Sequence, residues 1–236
     1  MFEVRNIAFA YRSTPVLRDV SFVVSPGEAV CLVGGNGAGK TTLLKILATL
    51  AVPAAGQVQN DGQDALVQTM RYRRQLGYMQ ERPSLYDDMT VRAYLAYRAR
   101  LKGEPEKRIR RRIGEAADIC QIADALGRSI GRLSYGLRKR VALADAMLLR
   151  PRVLLLDDFL AGLDTEMREA AGGVLSSVAA FSSVIVTGHE IEDMAKWATR
   201  FLVLRDGVIG ASVPAAGLAP GELAGRVRLA LRGGAA

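Results

Sequence analysis

Residues 31–47, CLVGGNGAGKTTLLKIL, run from an apolar strand pattern through a glycine-rich loop into a helix pattern. Glycines let the backbone turn with its N–H groups around a phosphate, and the following helix N-terminus adds the positive end of its dipole. In such a loop Lys40 reaches the β and γ phosphates and the Thr41 hydroxyl binds Mg²⁺. A glycine-rich turn without a ligand is the alternative, but the strand–loop–helix context and the Lys-Thr pair disfavour it. The stretch therefore predicts a nucleoside triphosphate site with contacts from Gly34, Asn36, Gly37, Gly39, Lys40, Thr41 and Thr42.

A second stretch, PRVLLLDDFLAGLD at residues 151–164, places two carboxylates after an apolar strand pattern. Pro151 ends the preceding helix pattern. Asp157, at the strand end, is the expected ligand that holds Mg²⁺ through water. Asp158 is the candidate that polarises an attacking water. The alternative is a polar strand terminus without chemistry, which the upstream phosphate loop disfavours.

The order of the remaining patterns predicts an α/β fold with a mixed, mainly parallel sheet. Short apolar runs recur, among them LGYM, SVIVTG and FLVLRDG, with helix patterns between several of them. Residues 86–149 show helix patterns only, which indicates an inserted all-helical subdomain. We therefore expect an α/β core at 1–85 and 150–213, and a loosely ordered C-terminal tail at 214–236 in which a short helix frays.

Composition limits the environment and the partners of the chain. The net charge is +8 and the pI is near 9.8, which favours acidic partners. No apolar run reaches the ~18–20 residues of a membrane span, and the N-terminus lacks the layout of a secretion signal. The two cysteines, Cys31 and Cys120, are expected to be reduced and buried. Together these features predict a cytosolic protein.

The stretch GRLSYGLRKRVALADAML, residues 131–148, resembles the signature of ATP-binding cassette (ABC) ATPases, the nucleotide-binding subunits of ABC transporters. Ser134 is a candidate helix N-cap and Gly136 permits close backbone approach, so this helix start is a second anion site. The resemblance implies that Ser134 and Gly136 face the phosphate loop of another subunit. Two cassettes, as a homodimer or a heterodimer, then enclose two ATP molecules head to tail.

The resemblance covers about residues 2–210 and assigns roles to further side chains. Tyr11 matches the aromatic residue that stacks on adenine, and Asp164 matches the loop acid of the family. His189, the only histidine, matches the residue that senses the γ-phosphate, although a lone histidine is often structural. The glutamine that contacts Mg²⁺ and water corresponds to Glu81, with Gln80 one position early, so either residue remains a candidate.

Four positions depart from the family pattern: Glu81 and Leu137 each replace a glutamine, Asp158 replaces a glutamate and Phe159 replaces a proline. Asp158 keeps the charge but withdraws the carboxylate by about one methylene. A misplacement on the order of 1 Å costs about 10²-fold in rate. We therefore expect ATP binding and dimer closure with slow hydrolysis. The alternative is that an aspartate serves as well as a glutamate here.

The resemblance implies an ATP-hydrolysing subunit that powers an ABC transporter, with an exporter favoured. An integral-membrane permease would then be its partner, and the chain would be cytoplasmic and peripheral on the inner face of the cell membrane. A regulatory cassette in a heterodimer and a non-transport ABC ATPase are the alternatives. Eight Lys or Arg lie in residues 98–112, as a solvated helix face or as a contact to anionic lipid. No motif for specific nucleic-acid binding is present.

Overall fold

The computed structural model describes residues 1–233 and contains one mixed sheet. Its strands are β1 (Phe2–Tyr11), β2 (Thr14–Val24), β3 (Ala29–Val33), β4 (Ala55–Asn60), β5 (Gln63–Asp64), β6 (Leu76–Met79), β7 (Val153–Leu156), β8 (Ser183–Thr187), β9 (Arg200–Arg205) and β10 (Val208–Pro214). Their order in the sheet is β5-β4-β1-β2-β10-β9-β3-β8-β7-β6. The antiparallel flank consists of β5, β4, β1 and β2, and the parallel part consists of β9, β3, β8, β7 and β6.

The α-helices of the described residues connect these strands, form the insert between β6 and β7, or, in one case, follow β10. They are α1 (Lys40–Leu47), α2 (Thr69–Arg73), α3 (Val91–Leu101), α4 (Glu106–Ile119), α5 (Tyr135–Met147), α6 (Thr165–Ala179), α7 (Ile191–Ala195) and α8 (Pro220–Leu231). None of these helices is both long enough and apolar enough to cross a membrane.

The sheet separates two buried apolar layers, and strand alternation assigns each side chain to one of them. Along β7, Val153 and Leu155 belong to the layer that also contains the apolar side chains of α1, whereas Leu154 and Leu156 belong to the layer that contains those of α6. Because successive strand residues point to opposite faces, a strand covered on both sides reads as the continuous apolar run seen in the sequence.

The parallel strands bring the predicted site segments to one edge of the sheet. Their carboxyl ends align, and the phosphate loop follows β3, Asp157 follows β7, His189 lies two residues after β8, and Gln80 follows β6. Ligands of open α/β sheets bind outside the carboxyl ends of the strands. This topology therefore explains how Asn36 and His189, which are 153 positions apart in the chain, share one cleft.

The insert between β6 and β7 is helical, as the sequence predicts, and contains no strand element within the described chain. Helices α3 and α5 are joined by a partly buried ion-pair cluster. Asp145 of α5 lies 2.9 Å from Nε of Arg98 and 2.8 Å from Nζ of Lys102. Tyr94 also donates a hydrogen bond to this carboxylate at 3.3 Å.

The C-terminal segment differs from the prediction. Residues 214–236 were expected to be loosely ordered, but 220–231 form α8, which packs against α7, β9 and β10. Pro220 occupies the first helical turn, and Leu223, Ala224, Val227 and Ala230 are buried at helical spacing. Burial of this apolar stripe, hidden in a Gly- and Ala-rich composition, stabilises the helix. Residues 234–236 of the predicted tail lie outside the described chain.

Candidate functional site

A cleft of about 550 Å³ lies at the carboxyl edge of the parallel strands, and residues from β1 and β2 complete it. Most of the predicted site residues line it together, although their segments are distant in sequence. The lining residues are Tyr11, Val16, Asn36, Gly37, Ala38, Gly39, Lys40, Thr41, Thr42, Glu81, Asp157, Asp158, Thr187 and His189.

Five predicted site residues lie outside this cleft: Gly34, Gln80, Ser134, Gly136 and Asp164. Gly34 ends the strand side of the phosphate loop, where a Cβ atom would lie 2.4 Å from the carbonyl oxygen of Leu204. Position 34 therefore requires glycine because the backbone packs closely against β9. Of the two glutamine-position candidates, Glu81 faces the cleft and Gln80 does not.

The phosphate loop has the backbone geometry that only glycine adopts without strain. Gly37 and Gly39 have φ of 77° and 103°, and a Cβ atom on Gly39 would lie 2.8 Å from Cδ2 of Leu17. Helix α1 begins directly after Gly39, so its free N–H groups point into the cleft. The loop can therefore surround a phosphate with backbone donors.

Lys40 lies across this loop, with Nζ donating to the carbonyl oxygens of Gly34 at 2.8 Å and Gly35 at 3.1 Å. Burial lowers the pKa of Lys40, and the nearby carboxylates of Asp158 and Asp157 oppose this effect. The ammonium is thus partly desolvated and held next to the loop. A phosphate oxygen can replace the carbonyl acceptors at this position.

Asp157 is almost completely buried, with 3% exposure, and two threonine hydroxyls donate to one of its carboxylate oxygens. Thr187 Oγ1 donates to Asp157 Oδ1 at 2.7 Å, and Thr41 Oγ1 lies 3.2 Å from the same oxygen. Thr187 also accepts a hydrogen bond from the backbone N–H of Asp158 at 2.9 Å. One hydroxyl of β8 therefore fixes both acids, a role that the sequence analysis missed.

The donor set around Asp157 fits Mg²⁺. A hydroxyl and a carboxylate meet beside the phosphate loop, and Mg²⁺ prefers oxygen ligands of this kind. Residues 1–233 contain no group of three or more His, Cys, Asp or Glu side chains that could hold a metal ion. A site of few protein ligands suits Mg²⁺, which usually retains waters and binds phosphates. Thr41 and Asp157 are the residues that would hold it.

Asp158 has a left-handed backbone and a half-buried side chain. Its φ is 49°, and its Oδ1 atom is buried without a hydrogen-bond partner among the described residues. Burial raises the pKa of Asp158, and Glu190 and Glu81 raise it further, whereas His189 and Lys139 oppose the shift. Asp158 therefore lines the cleft with one carboxylate oxygen that has no hydrogen-bond donor among the described residues.

Two exposed rings lie at the border of the cleft. Tyr11 is 51% exposed, contacts Phe9 edge-on, and its hydroxyl is 3.4 Å from Oγ1 of Thr42. Its ring is accessible to a flat ligand group next to the loop. His189 follows β8 and is also exposed. Both residues line the same cleft.

The helix that carries the signature stretch begins away from the cleft of its own chain. Ser134 caps α5 and accepts a hydrogen bond from the N–H of Leu137 at 3.4 Å. Gly136 is buried against α6, where a Cβ atom would meet the side chain of Met167. Asp164 caps α6 by accepting from the N–H of Met167 at 2.8 Å. Ser134 and Asp164 are exposed, so a second molecule can reach them.

Comparisons with known proteins agree with this geometry. The family model described as "ABC transporter" matches residues 17–161. An uncharacterised ABC transporter ATP-binding protein of Bacillus subtilis is 30% identical over 89% of this chain and 69% of its own length. A sulfate/thiosulfate import ATP-binding protein of Methylococcus capsulatus is 36% identical over 88% of this chain. This chain spans only 61% of the length of that Methylococcus protein.

The fold also matches solved structures. A bacterial ABC transporter cassette, solved as a dimer, superimposes with a TM-score of 0.82 at 23% identity, over 92% of this chain and all of the cassette. This likeness concerns the fold and includes the helical insert. The family match over most of the chain concerns the sequence. The chain belongs to the ABC transporter family, as an ATP-binding subunit.

Proposed function

We propose that this ABC ATPase binds two ATP molecules between two cassettes and uses the resulting closure to power a transporter. The observation that carries the proposal is the separation of the two predicted anion sites. The phosphate loop lies in the cleft, whereas the Ser134 cap is exposed outside it. A second cassette, placed head to tail, brings each Ser134 cap to the other cleft.

Each cleft residue then has a distinct task. The phosphate loop N–H groups and Lys40 bind the β and γ phosphates, and the ring of Tyr11 supports the adenine. Thr41 and Asp157 would hold Mg²⁺, which would supply positive charge next to the phosphates. Asp158 accepts a hydrogen bond from the attacking water, and His189 contacts the γ-phosphate. Asp164 lies near the cassette interface and links the two sites.

Hydrolysis is expected to be slow rather than absent. Asp158 is one methylene shorter than the glutamate of the family pattern, and a displacement of about 1 Å costs about 10²-fold in rate, or roughly 2.7 kcal/mol of barrier. Glu81 adds a third carboxylate to the cleft lining, beside Asp157 and Asp158, where the family pattern has a neutral amide. The retention of Lys40, Thr41 and His189 supports residual turnover.

An integral-membrane permease is the proposed partner, with this chain on the inner face of the cell membrane and export as the proposed direction. The basic stretch at residues 98–112 is only partly available to lipid, since several of its cations form ion pairs within the insert. Lys107, Arg108 and Arg110 are exposed on α4 and form no ion pair within residues 1–233. Near an anionic leaflet each would contribute about 1 kcal/mol to attraction. This arrangement supports a cytoplasmic, peripheral location.

A regulatory cassette is the second candidate, because two positions that act on the attacking water, Asp158 and Glu81, both differ from the family pattern. In that case this chain binds ATP while a competent partner cassette hydrolyses it. A non-transport role receives no separate support, and no nucleic-acid motif is present.

The test compares steady-state ATPase rates of the purified chain with those of Asp158→Glu and Asp158→Asn. We expect low wild-type turnover, a gain of about 10-fold or more in Asp158→Glu, and loss in Asp158→Asn. Lys40→Ala is the control that removes nucleotide binding. A wild-type rate that Asp158→Glu fails to raise would contradict the slow-hydrolysis proposal. Absence of turnover in wild type and Asp158→Glu alike, with ATP bound, would favour the regulatory cassette.

A further inference from the structure

Lys139 lies on α5, five residues after Ser134, and is buried with 1% exposure. Its Nζ atom donates to three backbone carbonyl oxygens of the loop after β7, those of Asp158 at 3.1 Å, Phe159 at 2.9 Å and Ala161 at 2.5 Å. An ammonium group has three N–H donors, so its hydrogen-bonding capacity is fully used. Lys139 is therefore bound to the same loop that carries the candidate catalytic acid.

The geometry of this loop requires external support. Asp158 has φ of 49°, a left-handed conformation that is strained in a residue other than glycine and persists only when its surroundings hold it. Three carbonyl oxygens then converge on one point, where they repel one another unless a cation or water satisfies them. The Lys139 ammonium supplies the charge and all three donors at that point.

The same helix contacts the loop at two further places. The Tyr135 ring lies 5.3 Å from the Lys139 ammonium and also occupies the space beside Gly162, where a Cβ atom would lie 2.9 Å from the ring. Gly136 packs against Met167, at the start of α6. The start of α5 is thus packed along the loop that joins Asp158 to Asp164, and the Lys139 ammonium is the polar centre of this contact.

We propose that Lys139 is a positioning residue, which clamps the carbonyls of residues 158–161 to α5 and so sets where the Asp158 carboxylate lies in the cleft. This proposal rests on the proposed function in one respect, the role of Asp158 in hydrolysis. It adds a link between the two nucleotide sites: the helix whose Ser134 end faces the second ATP also holds the acid that acts on the first.

The burial of the lysine argues against a packing role alone. Removing an ammonium from water is energetically unfavourable, and a well-packed apolar side chain fills such a position at least as well. The charged form of this ammonium is also favoured by three nearby carboxylates, those of Asp158, Glu190 and Glu81. Lys139 therefore lies where its charge and donors act on the loop and on the acids beside the cleft.

The experiment uses the full-length chain with Lys139→Met, which retains the stem and removes the charge and donors. The matched control is Lys102→Met, which removes a partly buried ammonium that pairs with Asp145 in the insert and has no hydrogen bond to the loop. For each variant kcat and KM for MgATP are measured, with the Kd of a fluorescent ATP analogue and the hydrogen exchange of peptides that cover residues 158–164.

We expect Lys139→Met to lower kcat by about 10- to 100-fold while KM and Kd change less than about 3-fold, because the acid is misplaced but the phosphate loop is intact. Hydrogen exchange at 158–164 becomes faster in this variant only. Lys102→Met leaves kcat and loop exchange at wild-type values. In an Asp158→Asn background, Lys139→Met causes no further loss of rate, since the positioned group is already absent.

Two results would overturn the proposal. One is an unchanged hydrogen-exchange rate at 158–164 in Lys139→Met. The other is a loss of kcat on Lys139→Met that is as large in the Asp158→Asn background as in the wild type. If Lys139→Met does not fold, Lys139→Gln, which retains two N–H donors, takes its place, and a smaller change in the same direction is expected. If wild type lacks turnover, the hydrolysis proposal fails while the exchange measurement still decides the role of Lys139.

Discussion

Thr187→Val removes a single hydroxyl from the centre of the site while preserving side-chain shape. In the wild type this hydroxyl donates to the buried Asp157 carboxylate at 2.7 Å and accepts from the Asp158 N–H at 2.9 Å. The variant leaves Asp157 with only the longer 3.2 Å contact to Thr41. Both acids therefore lose the group that fixes their relative positions.

The size of the effect follows from these two hydrogen bonds. A hydrogen bond to a charged group contributes about 1.5–3 kcal/mol, and a backbone N–H left unsatisfied costs about 1–3 kcal/mol when buried. Because Asp158 is only half-buried, water can reach its N–H, so the second cost lies at the low end. We expect the free energy of unfolding to fall by about 2–4 kcal/mol. The rate of hydrolysis should fall about 10-fold or more, because Asp158 loses its anchor.

Urea unfolding and steady-state ATPase assays measure these two quantities. Thr199→Val is the matched control, since Thr199 also donates and accepts one hydrogen bond, with the backbone of Ala29, but lies outside the cleft. The control should lose about 1 kcal/mol and retain its turnover. If Thr187→Val lost no more stability than Thr199→Val and kept the wild-type rate, the assigned role of Thr187 would be wrong.

Three further predictions use other parts of the molecule. Gly39→Ala should raise the Kd for ATP about 10-fold or more, because φ of 103° and the 2.8 Å approach to Leu17 exclude a Cβ atom at this position. The control Gly114→Ala places its Cβ atom in open space beside α4 and should not change ATP affinity. Burial acts to raise the pKa of Asp145, but the charges of Lys102 and Arg98 outweigh burial and lower that pKa. The ionised Asp145 carboxylate therefore stabilises the folded protein above pH ~4, and this stabilisation is lost as pH falls through the pKa of Asp145 in the folded protein. Urea unfolding should therefore show Asp145→Asn less stable than wild type by about 3 kcal/mol at pH 7, with a smaller difference below pH ~4, and a constant difference would contradict this. Burial raises the pKa of Cys120 to about 12 and that of Cys31 well above its ordinary value, so a thiol reagent should label neither in the folded protein and both in urea.

Local sequence patterns predicted those parts of the site that lie within one segment. The phosphate loop is contiguous, so the residue types of Gly39, Lys40 and Thr41 indicate the site directly. Asp157 and Asp158 follow a visible apolar strand pattern. The fold class followed from the same patterns, because strands and helices alternate in the order that a parallel sheet requires.

Contacts between distant segments could not be read from the sequence. Thr187 meets Asp157 only because β7 and β8 are neighbours in register, a pairing that no local pattern specifies. Lys139 lies in a basic helix and resembles a solvated cation, so only the packing of α5 against the loop after β7 reveals its burial. Helix α8 has a Gly- and Ala-rich composition that resembles a tail, and its few apolar residues are stabilised by contacts with α7, β9 and β10.

The shared-site arrangement is tested most directly by mixing two inactive variants, Lys40→Ala and Ser134→Glu, and measuring ATP-dependent dimer formation by sedimentation. Each variant alone disables both sites of a head-to-tail homodimer, so neither should dimerise with ATP. In a mixed dimer one site carries both changes and the other carries none, so the mixture should recover part of the wild-type dimer signal. ATP-dependent dimerisation of Ser134→Glu alone, or a mixture that behaves like its separate components, would contradict a nucleotide site formed by two chains.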